Sequence, residues 1–323
     1  KRVCIVSILV FKKDIEIKKR NNLLSQLFML LTFLKHYQDK IQVILVSNKK
    51  DEILNLLKNI KINSKNIQIL EIKNEELIFC NSSKGEHFRY AFSKLDALPI
   101  INNYLKSNKQ YKKLIISDID SIFMNMKRIL IFSKNIKTLA AINYRNEQST
   151  NEKFDKMLTT CIKQSNPDFS NNEKLAWINS GFVIIDISIL PSIIKISEIY
   201  FRWINKNKSY VKRVSSNHYS DEIIFSAIFN KFKGTEINNN SSKIARFYWT
   251  CTCANKTFLL LNPFNYPGHI HIPAIKYLGN HYQMSTITKI GNFKNLNFFI
   301  VIFLNYLRLK SEILNKIYLL KIR

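Results

Sequence analysis

Asp118 and Asp120 stand one residue apart at the end of an apolar run, within Lys-Lys-Leu-Ile-Ile-Ser-Asp-Ile-Asp-Ser-Ile-Phe-Met over residues 112–124. Carboxylate oxygens are hard donors, and two placed together suit a hard divalent cation that carries a phosphate. The run Leu114, Ile115, Ile116 reads as a buried strand of a parallel or mixed sheet. Ligands of open α/β sheets sit beyond the carboxyl ends of such strands. The pattern therefore points to an enzyme that handles a nucleotide diphosphate. The competing reading is that Asp118 only caps the following turn, since Asp-x-Asp alone is a common sequence.

Four further segments carry residue types of the same chemistry. Ser93-Lys94-Leu95 places a lysine where it could meet a pyrophosphate, a solvated surface lysine being the plainer alternative. Asn179-Ser180-Gly181 offers an amide, a hydroxyl and a close-approach glycine that suit sugar hydroxyls; a β-bulge would account for it equally. Asp221-Glu222 puts two carboxylates at a helix start, where simple capping is the alternative. His269-Ile270-His271, followed by Lys276 and Gly279, alternates so that both imidazoles lie on one face of a strand. Either histidine could be a third protein ligand to the metal, or the two could be a surface pair.

The elements that position these residues follow from hydrophobic periodicity. Strand patterns cover Val3–Val10, Gln42–Ser47 and Ile67–Ile72, alternating with helical patterns at Leu23–His36, Asp51–Lys58 and Phe88–Leu105, where Pro99 should kink or interrupt the helix. This rhythm predicts an α/β fold with a mixed, mainly parallel sheet flanked by helices on both faces. Beyond the two aspartates, Thr138–Asn143 and Trp177–Ile187 read as strands, and Ile189–Asn205 as a helix. Asp221–Phe229 reads as a second helix, N-capped by Ser220. Thr150–Lys174 is polar with little periodicity and reads as a surface excursion; residues 234–275 hold short strands and loops. Neither G-x-G-x-x-G nor a P-loop is present.

Fifty basic against 23 acidic residues give a net charge of +27, which attracts phosphorylated substrates, anionic lipid or nucleic acid. The abundance of Lys, Asn and Ile also fits AT-rich coding, which would account for part of the excess. No RNA-recognition motif, zinc-finger spacing or helix-turn-helix signature is present, so no nucleic-acid partner is expected. The five cysteines (Cys4, Cys80, Cys161, Cys251, Cys253) are scattered, as expected of reduced thiols in a cytosolic protein. The first apolar run reads as a core strand rather than a signal peptide. No stretch reaches the roughly 18 apolar residues of a membrane span.

From Asn292 the character changes. Phe293, Leu296, Phe299, Ile300, Phe303, Leu304 and Leu307 recur at helical spacing, with lysines and arginines interspersed to Arg323. This is a basic amphipathic helical tail of the kind that lies on an anionic membrane surface; packing on the core or on a partner subunit would give the same pattern. The expected division is a catalytic domain over 1–285 and the tail over 286–323.

In this order the segments resemble the GT-A fold glycosyltransferases, most closely family 8, the glycogenin and lipopolysaccharide hexosyltransferase type. That family runs [ST]-K-L on a helix, hydrophobic residues then D-x-D, an N-S-G strand, a D-Q helix start, and a late histidine followed by glycine and lysine. The resemblance spans roughly residues 1–280. It implies a GT-A (Rossmann-like) hexosyltransferase that uses a nucleotide sugar, a UDP-sugar, with retention; an inverting enzyme would instead need a protein carboxylate as base, for which Asp221 or Glu222 could serve. Asp118, Asp120 and His269 or His271 would bind Mn²⁺ or Mg²⁺. Lys94, Asn179, Ser180, Gly181 and Lys276 would contact the donor, while Asn179, Asp221 and Glu222 act in catalysis. The acceptor would be a glycan or glycolipid such as lipopolysaccharide, and the enzyme would sit in the cytoplasm, peripheral on the inner face of the membrane. Two departures stand out: Glu222 replaces the usual glutamine, and the histidine-to-lysine spacing is irregular. Other readings of the same aspartates are a metal-dependent nucleotidyltransferase or phosphotransferase, and a non-catalytic polyanion-binding protein.

Overall fold

A computed structural model describes residues 3–11, 17–37, 39–60, 67–83, 92–143, 152–170, 175–215, 220–238, 243–247, 260–272, 286, 288–289 and 297–322. Its first part alternates β1 (Val3–Leu9), α1 (Ile17–Leu34), β2 (Gln42–Ser47), α2 (Lys50–Ile60) and β3 (Ile67–Glu71). The short α3 (Ile78–Ser82) and α4 (Ser93–Ser107) lead into β4 (Lys113–Ser117). These strands are apolar almost throughout because helices cover both faces, and all five residues of β4 are buried. α4 runs on through Pro99, where the sequence suggested a kink. Its start is fixed from outside: Asp96 accepts the backbone N–H groups of Phe79 (2.8 Å) and Cys80 (3.1 Å), tying α3 to α4.

After β5 (Ser121–Phe123) come α5 (Met126–Lys134), β6 (Leu139–Asn143), α6 (Glu152–Lys163) and β7 (Ile178–Asp186). The expected surface excursion over 150–174 is thus corrected for its first half, which is a core helix. Phe154, Met157, Leu158, Cys161 and Ile162 are buried on one face of α6, against α9 and its neighbours. The chain continues through α7 (Leu190–Lys206), α8 (Lys208–Val214), α9 (Asp221–Lys231), β8 (Thr235–Asn238), β9 (Ala245–Phe247), β10 (His269–His271) and α10 (Asn297–Ile322). Ser220 occupies the N-cap position of α9 without a side-chain capping bond, so capping rests on the acidic first turn.

The main sheet has the order β3-β2-β1-β4-β7-β6-β8, and β7 runs antiparallel to both of its neighbours, β4 and β6. It is a mixed, mainly parallel sheet between helices, as the sequence rhythm predicts. The chain moves outward from β1 to β3 and then returns to the other side of β1 with β4. That reversal opens the crevice in which ligands of such sheets bind. A second sheet, β5-β10-β9, lies beyond the end of β4.

The first turns of α10 bury Ile300, Val301, Leu304 and Leu307 in a cluster with Met29, Phe33, Ile122, Met124, Leu261, Ile270 and Ile272. The amide of Asn305 clamps both backbone groups of Leu261, at 2.9 and 2.7 Å. No described helix is long and apolar enough to cross a membrane.

Candidate metal and sugar-nucleotide site

β4 ends at Ser117, and the two aspartates form the turn that carries the chain from the main sheet into β5 of the small sheet. β10 pairs antiparallel with β5, setting His271 opposite Ser121, and Ile272 N–H donates to Asp120 O at 2.8 Å. This register brings a late imidazole onto the aspartate turn. His271 Nε2 lies 3.1 Å from Asp120 Oδ1 and 3.4 Å from Asp118 Oδ2. One ligand atom from each of Asp118, Asp120 and His271 lies within 4.8 Å of the others.

His269, the other candidate, is held away from this group. Its ring is fully buried between Phe123 and Phe182, at centroid distances of 4.8 and 4.2 Å, and its Nε2 sits 3.2 Å from Ser117 Oγ. Burial pushes its pKa well below the usual histidine value, so it is a neutral core residue. Ser117 is the partner that sequence reading missed; a serine before an aspartate carries no signal of this role.

β7 supplies the wall opposite the histidine. Ala141 of β6 pairs with Val183 but Ile142 pairs with Asn179, so Ser180, Gly181 and Phe182 bulge out of that ladder. The bulge and the site role, alternatives in the sequence, coincide. Gly181 O accepts the N–H of Asp118 at 3.1 Å, fixing the aspartate turn to β7. A Cβ at position 181 would lie 2.2 Å from His271 Cε1 and Nδ1, so only glycine leaves room for the ring.

Lys94, in the first turn of α4, closes the other side. Its ammonium ion-pairs with Asp118 Oδ1 (2.8 Å) and Asp221 Oδ2 (3.2 Å), and donates to Ser180 O (3.1 Å) and Oγ (2.9 Å). Burial disfavours its charge, but Asp118 and Asp221 more than reverse that, so its pKa lies above the usual lysine value. The buried Asp221 shifts up through desolvation, opposed by Lys94 and aided by Asp118. Its Oδ2 is held by the Lys94 ammonium. For His271, burial lowers the pKa, and the charge of Asp120 and its hydrogen bond outweigh this and raise it.

Lys94 thus supplies positive charge where three carboxylates converge. Two carboxylates and one imidazole form a donor set that fits a divalent cation such as Mn²⁺. Asn179 and Glu222 stand beside the cluster, with Asn179 Nδ2 donating to Glu222 Oε1 at 3.0 Å. Lys276 lies outside the described residues.

No protein-family model matches the chain, and no curated protein matches it in sequence. Among solved structures it is similar to the galactosyltransferase LgtC in complex with donor and acceptor sugar analogs, at 10% identity and TM-score 0.50, over 88% of this chain and 95% of that one. An active-site glutamine-to-glutamate mutant of LgtC matches at 12% identity and TM-score 0.53, over 88% of this chain and 94% of that one. Mouse xyloside xylosyltransferase 1 in its apo form gives 11% identity and TM-score 0.49, over 84% and 97% of the two chains. The likeness to LgtC, with the mixed sheet and the crevice between β1 and β4, establishes that this chain has the GT-A glycosyltransferase fold.

Proposed function

We propose that this chain is a metal-dependent glycosyltransferase of the family-8 type that moves a hexose from a UDP-sugar to a glycan acceptor with retention. The observation that carries the reading is the convergence of Asp118, Asp120 and His271 beyond β4, in the crevice where GT-A folds bind ligands. Paired aspartates alone would also serve a nucleotidyltransferase, so the groups around them bear on the choice. Here a bulged Asn-Ser-Gly strand and the buried carboxylate of Asp221, ion-paired with Lys94, adjoin the cluster, and both suit sugar hydroxyls.

Asp118, Asp120 and His271 Nε2 would hold Mn²⁺ or Mg²⁺, which when bound neutralises charge on the leaving diphosphate. Lys94 keeps Asp118 and Asp221 at a fixed separation and adds positive charge at the same place. Lys276 has the same expected role. Asp221 accepts a donor-sugar hydroxyl, and Gly181 leaves room for the His271 ring beside the aspartate turn. In a retaining transfer the acceptor proton passes to the leaving phosphate, which leaves Asp221 and Glu222 free to position groups rather than act as base.

The acceptor in this proposal is lipid-linked, and the protein works at the inner face of the membrane. α10 supports this: Phe299, Ile302, Tyr306, Leu309 and Ile313 recur at spacings of three and four and are 43–58% exposed. Phe264, 84% exposed, adjoins the stripe through Phe298. Lys310 flanks it on a chain of net charge +27, and basic groups near an anionic surface contribute about 1 kcal/mol each.

The test is thermal denaturation of the chain with UDP-, GDP- and ADP-sugars, with and without Mn²⁺. Stabilisation by a UDP-sugar that requires the metal is expected, followed by release of UDP from intact UDP-sugar. No shift with any nucleotide diphosphate, or turnover of nucleoside triphosphate instead, overturns the proposal.

A further inference from the structure

A metal-ligating imidazole works only if its second nitrogen is held, because that bond sets the tautomer and the ring orientation. In this chain the second nitrogen of His271 meets a side chain whose own orientation is determined. His271 Nδ1 lies 2.8 Å from Asn179 Oδ1, and the same oxygen accepts the backbone N–H of Gly181 at 3.0 Å. An amide oxygen is acceptor only, so the proton must sit on Nδ1, and Nε2 is left to face Asp118 and Asp120. The amide can be turned this way round because its NH₂ donates to Glu222 Oε1 at 3.0 Å. A carboxylate can only accept, whereas a glutamine at 222 could present either end. Asn179 and His271 are 2% and 4% exposed, so water does not compete within this part of the chain of bonds.

We propose that Glu222, acting through Asn179, is a positioning residue that orients His271 as a metal ligand; this rests on the metal reading of the cluster. Glu222 polarises the Asn179 amide, and the amide oxygen becomes a stronger acceptor for Nδ1–H. The plainer role for Glu222, a charge favouring the N-terminus of α9, makes a different prediction: any uncharged residue there would be equivalent.

The experiment is Mn²⁺ titration of the full chain, reading free Mn²⁺ by electron paramagnetic resonance, with the metal-free melting temperature as the control for folding. Glu222→Gln keeps an acceptor and should hold the affinity within about threefold, while Glu222→Leu should lose about tenfold or more, the usual scale for outer-shell partners. Asn179→Asp faces a second carboxylate on Glu222 and should weaken binding. The double variant Asn179→Asp with Glu222→Gln restores donor to acceptor at unchanged net charge, and should return within about threefold of the parent. Equal losses for the Gln and Leu variants, parental affinity in Glu222→Leu, or no recovery in the double variant overturns the proposal. If Glu222→Leu does not fold, the Asp/Gln exchange decides alone. Failure of the parent to bind Mn²⁺ overturns the metal reading itself, and is told apart because no variant is then involved.

Discussion

The imidazole of His271 fills the space in which a side chain at position 181 would begin. Gly181→Ala must therefore push the ring off the aspartate turn. Its Mn²⁺ affinity is expected to drop at least tenfold while far-UV circular dichroism stays as in the parent; unchanged affinity would refute the role of the close contact. Asp118 and Asp120 were legible in the sequence because they are neighbours on one turn, and local spacing places both carboxylates whatever the rest of the chain does. The choice between His269 and His271 was not legible. It depends on the register of β10 on β5, which sets His271 rather than His269 beside the turn, and on Ser117, which occupies His269. Glu222 was legible as a carboxylate at a helix start and as a departure from the glutamine of the resembling family; its contact with Asn179 needs the fold.

Strands of the buried sheet announced themselves, Gln42–Ser47 to the residue, because a run buried on both faces has no polar interruptions. α6 did not: its apolar positions lie within a polar stretch, and reading 150–174 as one window diluted a helical stripe that ends at Lys163. Phe154 is fully buried there and stacks on Trp177, so Phe154→Ala is expected to cost about 3–5 kcal/mol in urea unfolding. The α3–α4 junction makes a pH prediction. Burial raises the Asp96 carboxyl from 3.8 to about 6, against the pull of two backbone N–H donors. The folded state then holds this proton more tightly than the unfolded chain, so the contribution is full below about pH 4 and is lost as pH rises through about 6. Relative to Asp96→Asn, which does not titrate, the parent should lose up to roughly 3 kcal/mol between pH 4 and 7. Urea unfolding at each pH reads this, and a constant difference between the two proteins would count against it.

At the scale of the molecule, α10 carries two apolar faces, one inserted into the cluster around Ile122 and Ile270 and one turned outward. The sequence showed the helical spacing but not which residues face where, since the inward and outward sets interleave. For the proposed membrane contact, Ile302→Glu with Tyr306→Glu should abolish most sedimentation with phosphatidylserine-containing vesicles, while leaving the melting temperature and Mn²⁺ affinity unchanged. Parental binding should weaken in high salt and be weak on neutral vesicles. Equal binding of the variant and the parent would remove α10 from the contact.

The small sheet has a consequence for how the chain folds. Ser117 and His269 meet across 152 residues, and β10 leaves the ribosome long after β5, the strand it pairs with. Closing so long a loop is entropically unfavourable and slow, and little local structure rewards it in advance. A cation shared by Asp118, Asp120 and His271 would act as a removable staple across that loop, stabilising by RT ln(1 + [metal]/Kd) whatever it does for sugar transfer. Amide hydrogen exchange should accordingly slow in β5 and β10 on adding Mn²⁺, with β1 and β2 little changed, so that the pairing with the longest loop to close is the one the metal secures.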